Sequence, residues 1–363
     1  MFTSVAYGAK SAAAKLERME IEREEPKDDE VQIEVMFTGV CHSDIHQVKN
    51  EWKNTVYPCI PGHEIVGRVV KAGARTSRFK EGDIVGVGCM IDSCQSCEPC
   101  KSGDQNYCEG PNGWLATYNG PMVPASETED NTNVYGRDNT FGGYSDTVVV
   151  KEDFVLSIPD GLDPAAAAPI LCAGVTTWSP LQHWGVKKGD KVAVLGFGGL
   201  GHMALKLAKG IGAEVTVLTS TPEKIEEAKR MGADQAVIET DKTALSELEG
   251  SYDLILSTVP DKHEIGELLD LLKRDAAFVV VGNLDVVDGV DNSKLAFKRQ
   301  SVAGSLIGNL EETQAVLDFC AANGIAPEIE IVDIADINDV FTRVENGEVR
   351  YRAVIDMSSL KAA

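Results

Sequence analysis

Cys94, Cys97, Cys100 and Cys108 stand as C-x2-C-x2-C-x7-C in the turn-rich run SCQSCEPCKSGDQNYC. Four thiolates so closely spaced let one loop wrap a tetrahedral zinc ion at about 2.3 Å from each sulfur, with no long-range folding. Such a zinc has no open position and is structural, whereas an iron–sulfur cluster on the same four cysteines would carry electrons. A second set is of another kind. GVCHSDIHQ brings Cys41, His42, Ser43, Asp44 and His46 together, and PGHEIVG puts His63 and Glu64 at the start of a strand-like run. An open, Lewis-acidic zinc site takes three Cys, His or carboxylate ligands plus water, and both segments supply them. Any one of these histidines alone reads as structural; their density beside thiols is what favours a metal. Beyond the four-cysteine loop, Cys41, Cys59, Cys89, Cys172 and Cys320 remain, and spacing leaves open which of them completes the set.

Further along, Gly196-Phe197-Gly198-Gly199-Leu200-Gly201 matches G-x-G-x-x-G between a strand, KVAVL, and a helix. In that context the glycines allow a tight turn and close approach of backbone to a pyrophosphate, which the helix N-terminus stabilises. An NAD-selective site places a carboxylate about 20 residues on, at the end of the second strand. Here that strand ends in Leu218-Thr219-Ser220-Thr221, with Lys224 just beyond. Hydroxyls and a cation suit a 2′-phosphate, and the expected cofactor is NADP(H). The bland alternative is that Ser220 and Thr221 cap the helix that follows Pro222.

These residues need elements to hold them. Before the glycine motif, short Val/Ile-rich runs alternate with Gly/Pro turns (VQIEVMFTGV, EIVGRVVKAG, GDIVGVG), which reads as a β-rich module with few helices. From about Lys191 the rhythm becomes strand–helix–strand–helix, with further strands at AVIET, DLILSTV and AAFVVVGN, as in a doubly wound parallel sheet. After about Ser305 come a helix, LEETQAVLDFCAANG, and the strand-like runs IEIVDI and YRAVIDM, a tail able to return to the first module. Pro111 to Asn139 lacks periodicity and reads as a long loop at the rim of an active site.

A chain of 363 residues suggests two domains, at about 150 residues each. Its net charge of −23 opposes nucleic acid and anionic lipid as partners. Acidic stretches such as Glu17 to Glu34 read as solvated strand faces. The start MFTSVAYGAKSAAAKLERME has no signal-peptide pattern, and no apolar run approaches the roughly 20 residues of a membrane span. Nine cysteines without an export signal point to a reducing compartment and a cytoplasmic location.

Taken in order, GVCHSDIHQVKNEW, YPCIPGHEIVGRV, the four-cysteine loop, GGYSD, LCAGVTTWSPL, VLGFGGLGHMALKLAK and GSLIGN cover nearly the whole chain. This set resembles the zinc-dependent medium-chain dehydrogenases/reductases, in the branch of the cinnamyl alcohol dehydrogenases and bacterial NADPH-dependent aldehyde reductases. The resemblance implies an α/β fold: a Rossmann NADP-binding domain at 173–307 and a β-rich, GroES-like zinc-binding catalytic domain at 1–172 and 308–363. It implies two zinc ions per chain, one structural in the cysteine loop and one catalytic on Cys41, His63 and Cys172, with Glu64 as alternate ligand. The resemblance, and not the spacing, selects Cys172.

By the same resemblance Ser43 passes the alcohol proton, through the cofactor ribose, towards His46 and solvent. Thr176, the turn Gly198-Gly199-Leu200, Thr258, Val281, Gly282, Ser305 and Ile307 line the cofactor. Trp52, Leu306 and Ile307 shape the substrate pocket, with Trp114 as counterpart of a tryptophan that plant relatives place there, although TYN is offset from it. The implied activity is reversible hydride transfer between NADPH and aromatic or aliphatic aldehydes, by a homodimer joined edge to edge through its nucleotide-domain sheets. Two other readings stay open. A polyol dehydrogenase shares the fold but carries an acidic third zinc ligand and an acidic second-strand end; a catalytically silent NADPH- or zinc-binding protein has no need of the full ligand and relay set.

Overall fold

The computed structural model describes residues 1–110, 113–122, 140–284 and 286–361. The chain divides into two compact units, one of Met1–Cys172 with Asn309–Ala363 and one of Ala173–Gly308.

In the first unit a seven-stranded sheet runs in the order Leu156–Ser157, Ile84–Val87, Ile65–Ala72, Glu30–Gly39, Arg352–Asp356 and Ile329–Asp333, with Thr147–Lys151 also pairing to Glu30–Gly39. Its centre is Glu30–Gly39, where alternation sends Val31, Ile33 and Val35 into the core. Close strand approach is built in at Gly67, where a Cβ would stand 2.3 Å from the Glu34 carbonyl oxygen. The tail returns here, Val354 pairing with Gly39 and Asp356 with Phe37 in antiparallel register. That return carries Arg352 into the interior, where it is 3% exposed. A helix at Pro164–Pro169, capped by Asp163 accepting from the Ala165 amide at 2.9 Å, runs on into a π-helical turn at Ile170–Gly174 that contains Cys172. Part of the stretch expected as a long loop is ordered as a three-stranded sheet of Met90–Asp92, Trp114–Ala116 and Pro121–Met122. Residues 111–112 and 123–139 of that stretch lie outside the described residues.

The second unit is a six-stranded parallel sheet in the order Gln235–Ile238, Glu214–Thr219, Lys191–Leu195, Tyr252–Ser257, Leu272–Val280, Ser301–Gly304. Numbered along the chain this is 3-2-1-4-5-6, the doubly wound order, with its switch point between Lys191–Leu195 and Tyr252–Ser257. Short apolar strands such as KVAVL are buried on both faces, and Leu195, Leu218, Ile255 and Phe278 lie in one apolar core. Helix Gly201–Ile211 ends on Gly212 at φ 99°, a left-handed cap that glycine adopts without strain. Among the described residues no helix is long and apolar enough to cross a membrane.

Candidate active site

Helix His42–Val48 begins at the extended residue Cys41, and its third residue, Asp44, reaches back to accept the Cys41 amide at 3.0 Å. Asp44 is fully buried and does two further things: one oxygen accepts the Gly62 amide at 2.9 Å and lies 3.0 Å from His63 Nδ1. A carboxylate at that distance fixes the proton on Nδ1 and leaves the Nε2 lone pair as the ligating one. Nε2 lies 3.3 Å from Cys172 Sγ. Burial alone would depress His63, but the charge and hydrogen bond of Asp44 hold it well above its ordinary value. The turn that aims His63 needs glycine at Gly62, where φ is 105° and a Cβ would lie 2.7 Å from Tyr144.

Cys41, His63, Glu64 and Cys172 are all buried, and their ligand atoms lie within 4.8 Å of one another. A tetrahedral zinc with one nitrogen and one sulfur ligand sets those atoms about 3.6 Å apart, close to what Nε2 and Cys172 Sγ adopt. The Cys41 thiol is held well below its ordinary value by a hydrogen bond from Cys172, with His63 adding a further hydrogen bond and positive charge. Glu64 is fully buried and hydrogen-bonded to Arg352, while its other oxygen, Oε2, has no hydrogen-bond partner among the described residues. Burial pushes this carboxyl up to about 7 against the pull of Arg352. A buried thiol pair, an oriented imidazole and an orphaned carboxylate oxygen together fit one cation. Gly39 makes room for the Glu64 carboxylate, since a Cβ there would fall 1.8 Å from Glu64 Oε2.

The four-cysteine loop folds on itself. Cys94, Cys97, Cys100 and Cys108 bring their sulfurs within 4.8 Å of one another, with Cys94 to Cys100 at 3.9 Å and Cys97 to Cys108 at 4.0 Å. Thiolates on one tetrahedral zinc stand about 3.8 Å apart. An iron–sulfur cluster, larger than a single ion, holds its thiolates further apart, so the geometry favours the ion. Backbone amides turn inward to the sulfurs, Cys97 to Cys94 at 3.3 Å and Gly110 to Cys108 at 3.4 Å. Hydrogen bonds from Ser96 and Cys97 bring the Cys94 thiol down to about 5.

In the second unit two motif glycines are required by the protein itself. Gly196 has φ 84°, and a Cβ on Gly201 would lie 2.1 Å from the Gly196 carbonyl oxygen. Gly198 is different, because a Cβ there would meet no atom of the described residues within 4 Å. The turn thus leaves a cradle over Gly198, at the start of helix Gly201–Ile211, whose N-cap Leu200 makes no side-chain cap bond. A helix start with no side-chain cap is the kind of place an anion fills, and here the His202 amide donates to the Gly198 carbonyl at 3.0 Å. Thr258 Oγ1 donates to the Leu195 and Gly196 carbonyls at 3.0 and 3.1 Å, tying the first and fourth strands at the switch point. The Val281 amide bonds Ser257 at 2.9 Å, and a Cβ on Gly282 would lie 2.2 Å from the Val259 carbonyl oxygen. Ser305 donates its amide to Val280 at 3.2 Å, and Ile307 is held at φ 43°, a costly backbone for a β-branched residue.

At the end of the second strand Thr219 is buried and accepts the Thr221 amide at 3.2 Å, while Ser220 is exposed. The residue before helix Glu223–Arg230 is Pro222, which has no side-chain acceptor, the Thr221 carbonyl accepts the Lys224 amide at 3.0 Å, and Lys224 lies in the first turn.

Sequence reasoning placed Asp44 in the ligand-rich segment, Tyr118 in the run TYN and Arg352 in the run YRAVIDM, and gave none of the three a role. Tyr118 packs on the His63 ring at 5.2 Å between centroids. Trp114 is buried in its short strand, and Trp52 packs beside His46 at 5.8 Å. Thr176 is buried on helix Val175–His183, and Leu306 is partly buried.

Residues 27–160 match the alcohol dehydrogenase GroES-like domain and residues 199–322 the zinc-binding dehydrogenase domain. The chain is 46% identical to aldehyde reductase YahK of Escherichia coli (strain K12) over 98% of both chains. It is also 46% identical to NADP-dependent alcohol dehydrogenase C 1 of Mycolicibacterium smegmatis over 100% of both. Among solved structures, a cinnamyl alcohol dehydrogenase of Sorghum bicolor is similar with a TM-score of 0.90 and 39% identity, covering 98% of each chain. The Helicobacter pylori cinnamyl alcohol dehydrogenase complexed with NADP(H) is similar with a TM-score of 0.85 and 34% identity, again over 98% of each.

Proposed function

The chain belongs to the zinc-dependent alcohol dehydrogenases, with a GroES-like domain and a Rossmann-type domain, and on that premise we propose reversible hydride transfer between NADP(H) and a small aldehyde or alcohol at Cys41, His63 and Cys172. The enzyme is an oxidoreductase that uses zinc and NADP(H). The observation that carries the site is the convergence of Cys41, His63, Glu64 and Cys172 within 4.8 Å, with Asp44 on the far nitrogen of His63.

When bound, zinc polarises the carbonyl and NADPH supplies the hydride. Cys41, His63 and Cys172 hold the metal, and Glu64 is poised as alternate ligand while Arg352 balances its charge. Ser43 gives the proton that completes the alcohol, and His46 resupplies it. Both lie on helix His42–Val48 three residues apart, hence on one face, and the His46 side chain is 34% exposed beside Glu51. Gly196, Gly198, Gly199, Leu200 and Gly201 cradle the pyrophosphate, while Ser220 and Lys224 receive the 2′-phosphate. A second, structural zinc belongs to Cys94, Cys97, Cys100 and Cys108.

A homodimer joined through the nucleotide-unit sheets is supported by the outer strand Ser301–Gly304, which is partly exposed and, among the described residues, has a single neighbour in its sheet. A cytoplasmic location suits nine cysteines that are all free.

The test is the initial rate of NADPH and of NADH oxidation by the zinc-loaded protein with cinnamaldehyde, benzaldehyde and short aliphatic aldehydes. Rapid NADPH-dependent reduction is expected. A preference for NADH would overturn the assignment of Ser220 and Lys224, and no turnover with either would overturn the aldehyde reading.

A further inference from the structure

A hydrogen bond at one nitrogen, such as that of Asp44 on His63, leaves an imidazole free to tilt about the bond. A second restraint is present. The Tyr118 ring lies 5.2 Å from the His63 ring, centroid to centroid, at an interplanar angle of 56°, within the range of favourable aromatic pairs. Both residues are buried, His63 at 2% and Tyr118 at 5% exposed.

The backbone on either side of Tyr118 is anchored to three other segments. The Thr117 amide donates to the Cys89 carbonyl at 3.0 Å and its hydroxyl to the Gly88 carbonyl. The Asn119 amide donates to Thr140 at 2.6 Å, and its side-chain oxygen accepts the Val56 amide at 3.0 Å. Asn119 itself sits at φ 64°, a left-handed conformation that asparagine tolerates and that turns the chain back directly after Tyr118.

We propose that Tyr118 is a positioning residue, whose clamped ring sets the tilt of the His63 imidazole and so the direction of its Nε2 lone pair. This rests on the reading of Cys41, His63 and Cys172 as metal ligands.

The experiment uses the full chain loaded with Co2+, comparing wild type, Tyr118→Leu and Tyr118→Phe. The visible ligand-field spectrum reports ligand geometry, and transfer of the metal to a chromogenic chelator reports how firmly it is held. Tyr118→Leu is expected to shift the bands and to release one of the two metal equivalents about tenfold faster, as loss of a ligand's supporting partner does. The equivalent held by the four-cysteine loop should be unchanged. Tyr118→Phe, which keeps the ring, should match wild type. Wild-type bands and release in Tyr118→Leu would overturn the proposal, as would a Tyr118→Phe variant that behaves like Tyr118→Leu. If Tyr118→Leu does not fold, Tyr118→Met is read by the same criteria. A wild-type chain that takes up cobalt only in the cysteine loop would instead overturn the ligand reading on which the proposal stands.

Discussion

Arg352 donates to the buried carboxylate of Glu64 and, from the same nitrogen, to the Val40 carbonyl at 2.9 Å, so the last strand of the chain neutralises a charge beside the ligand set. Removing one partner of a buried pair strands the other without solvent or counter-charge, which costs about 3–5 kcal/mol. Arg352→Met is therefore expected to lower stability by that order in urea unfolding. Adding Glu64→Gln to it should recover much of the loss. Equal stability of Arg352→Met and wild type would mean that Glu64 is neutral and needs no counter-charge.

Asp44 offers a separate test, because its role is to orient and not to ligate. Asp44→Ala removes the acceptor at His63 Nδ1 and also frees the Cys41 and Gly62 amides. Zinc affinity at this site should fall about 10- to 100-fold, measured by competition with a chelator. Affinity equal to wild type would assign Asp44 to backbone support alone.

The glycine motif separates fold from ligand. A methyl group on Gly201 would collide with the Gly196 carbonyl oxygen at 2.1 Å, so Gly201→Ala should destabilise the second unit by about 1–3 kcal/mol. Gly198→Ala meets no atom of the described residues within 4 Å, and should leave the melting temperature unchanged while raising KM for NADPH by about tenfold or more. A Gly198→Ala enzyme with normal KM would move the pyrophosphate elsewhere.

Much of this was legible in the sequence, because its signals are local. The parallel, doubly wound class follows from buried strands and amphipathic helices in alternation, and the cysteine loop closes within the span from Cys94 to Cys108. What stayed hidden depends on pairing across long separations. Arg352 reaches Glu64 only because the tail strand lies antiparallel to Glu30–Gly39, a partner that no spacing reveals. Cys172 has no ligand-like neighbour in sequence, and the π-helical turn that holds it leaves no simple pattern. Tyr118 sits in a stretch that reads as loop, since a three-residue strand such as Trp114–Ala116 is too short to show alternation.

Cofactor choice should turn on charge at the end of the second strand. Lys224 lies in the first turn of helix Glu223–Arg230, two residues after Pro222. A charge-assisted bond to a phosphate contributes about 1.5–3 kcal/mol, so Lys224→Ala should raise KM for NADPH by about 10- to 100-fold and leave that for NADH near its starting value. A parallel rise for both cofactors would show that Lys224 supports the helix and not the 2′-phosphate.

Asp234 gives the acid limb of stability a defined contributor. Burial raises its carboxyl, but hydrogen bonds from Lys209 at 2.8 Å and from the Val215 amide at 2.7 Å outweigh that and leave it below its ordinary value of 3.8. A group whose folded value is depressed adds stability that is present above its unfolded value and is lost as pH falls through the folded one. Asp234→Asn should therefore lower the urea midpoint at pH 7, and the gap to wild type should close as pH falls below about 4. Because the side chain is about half exposed, the difference at pH 7 is small and shrinks further at high salt. A gap that stayed constant from pH 7 to pH 3 would assign the loss to the altered hydrogen bonds of Asn and not to the charge.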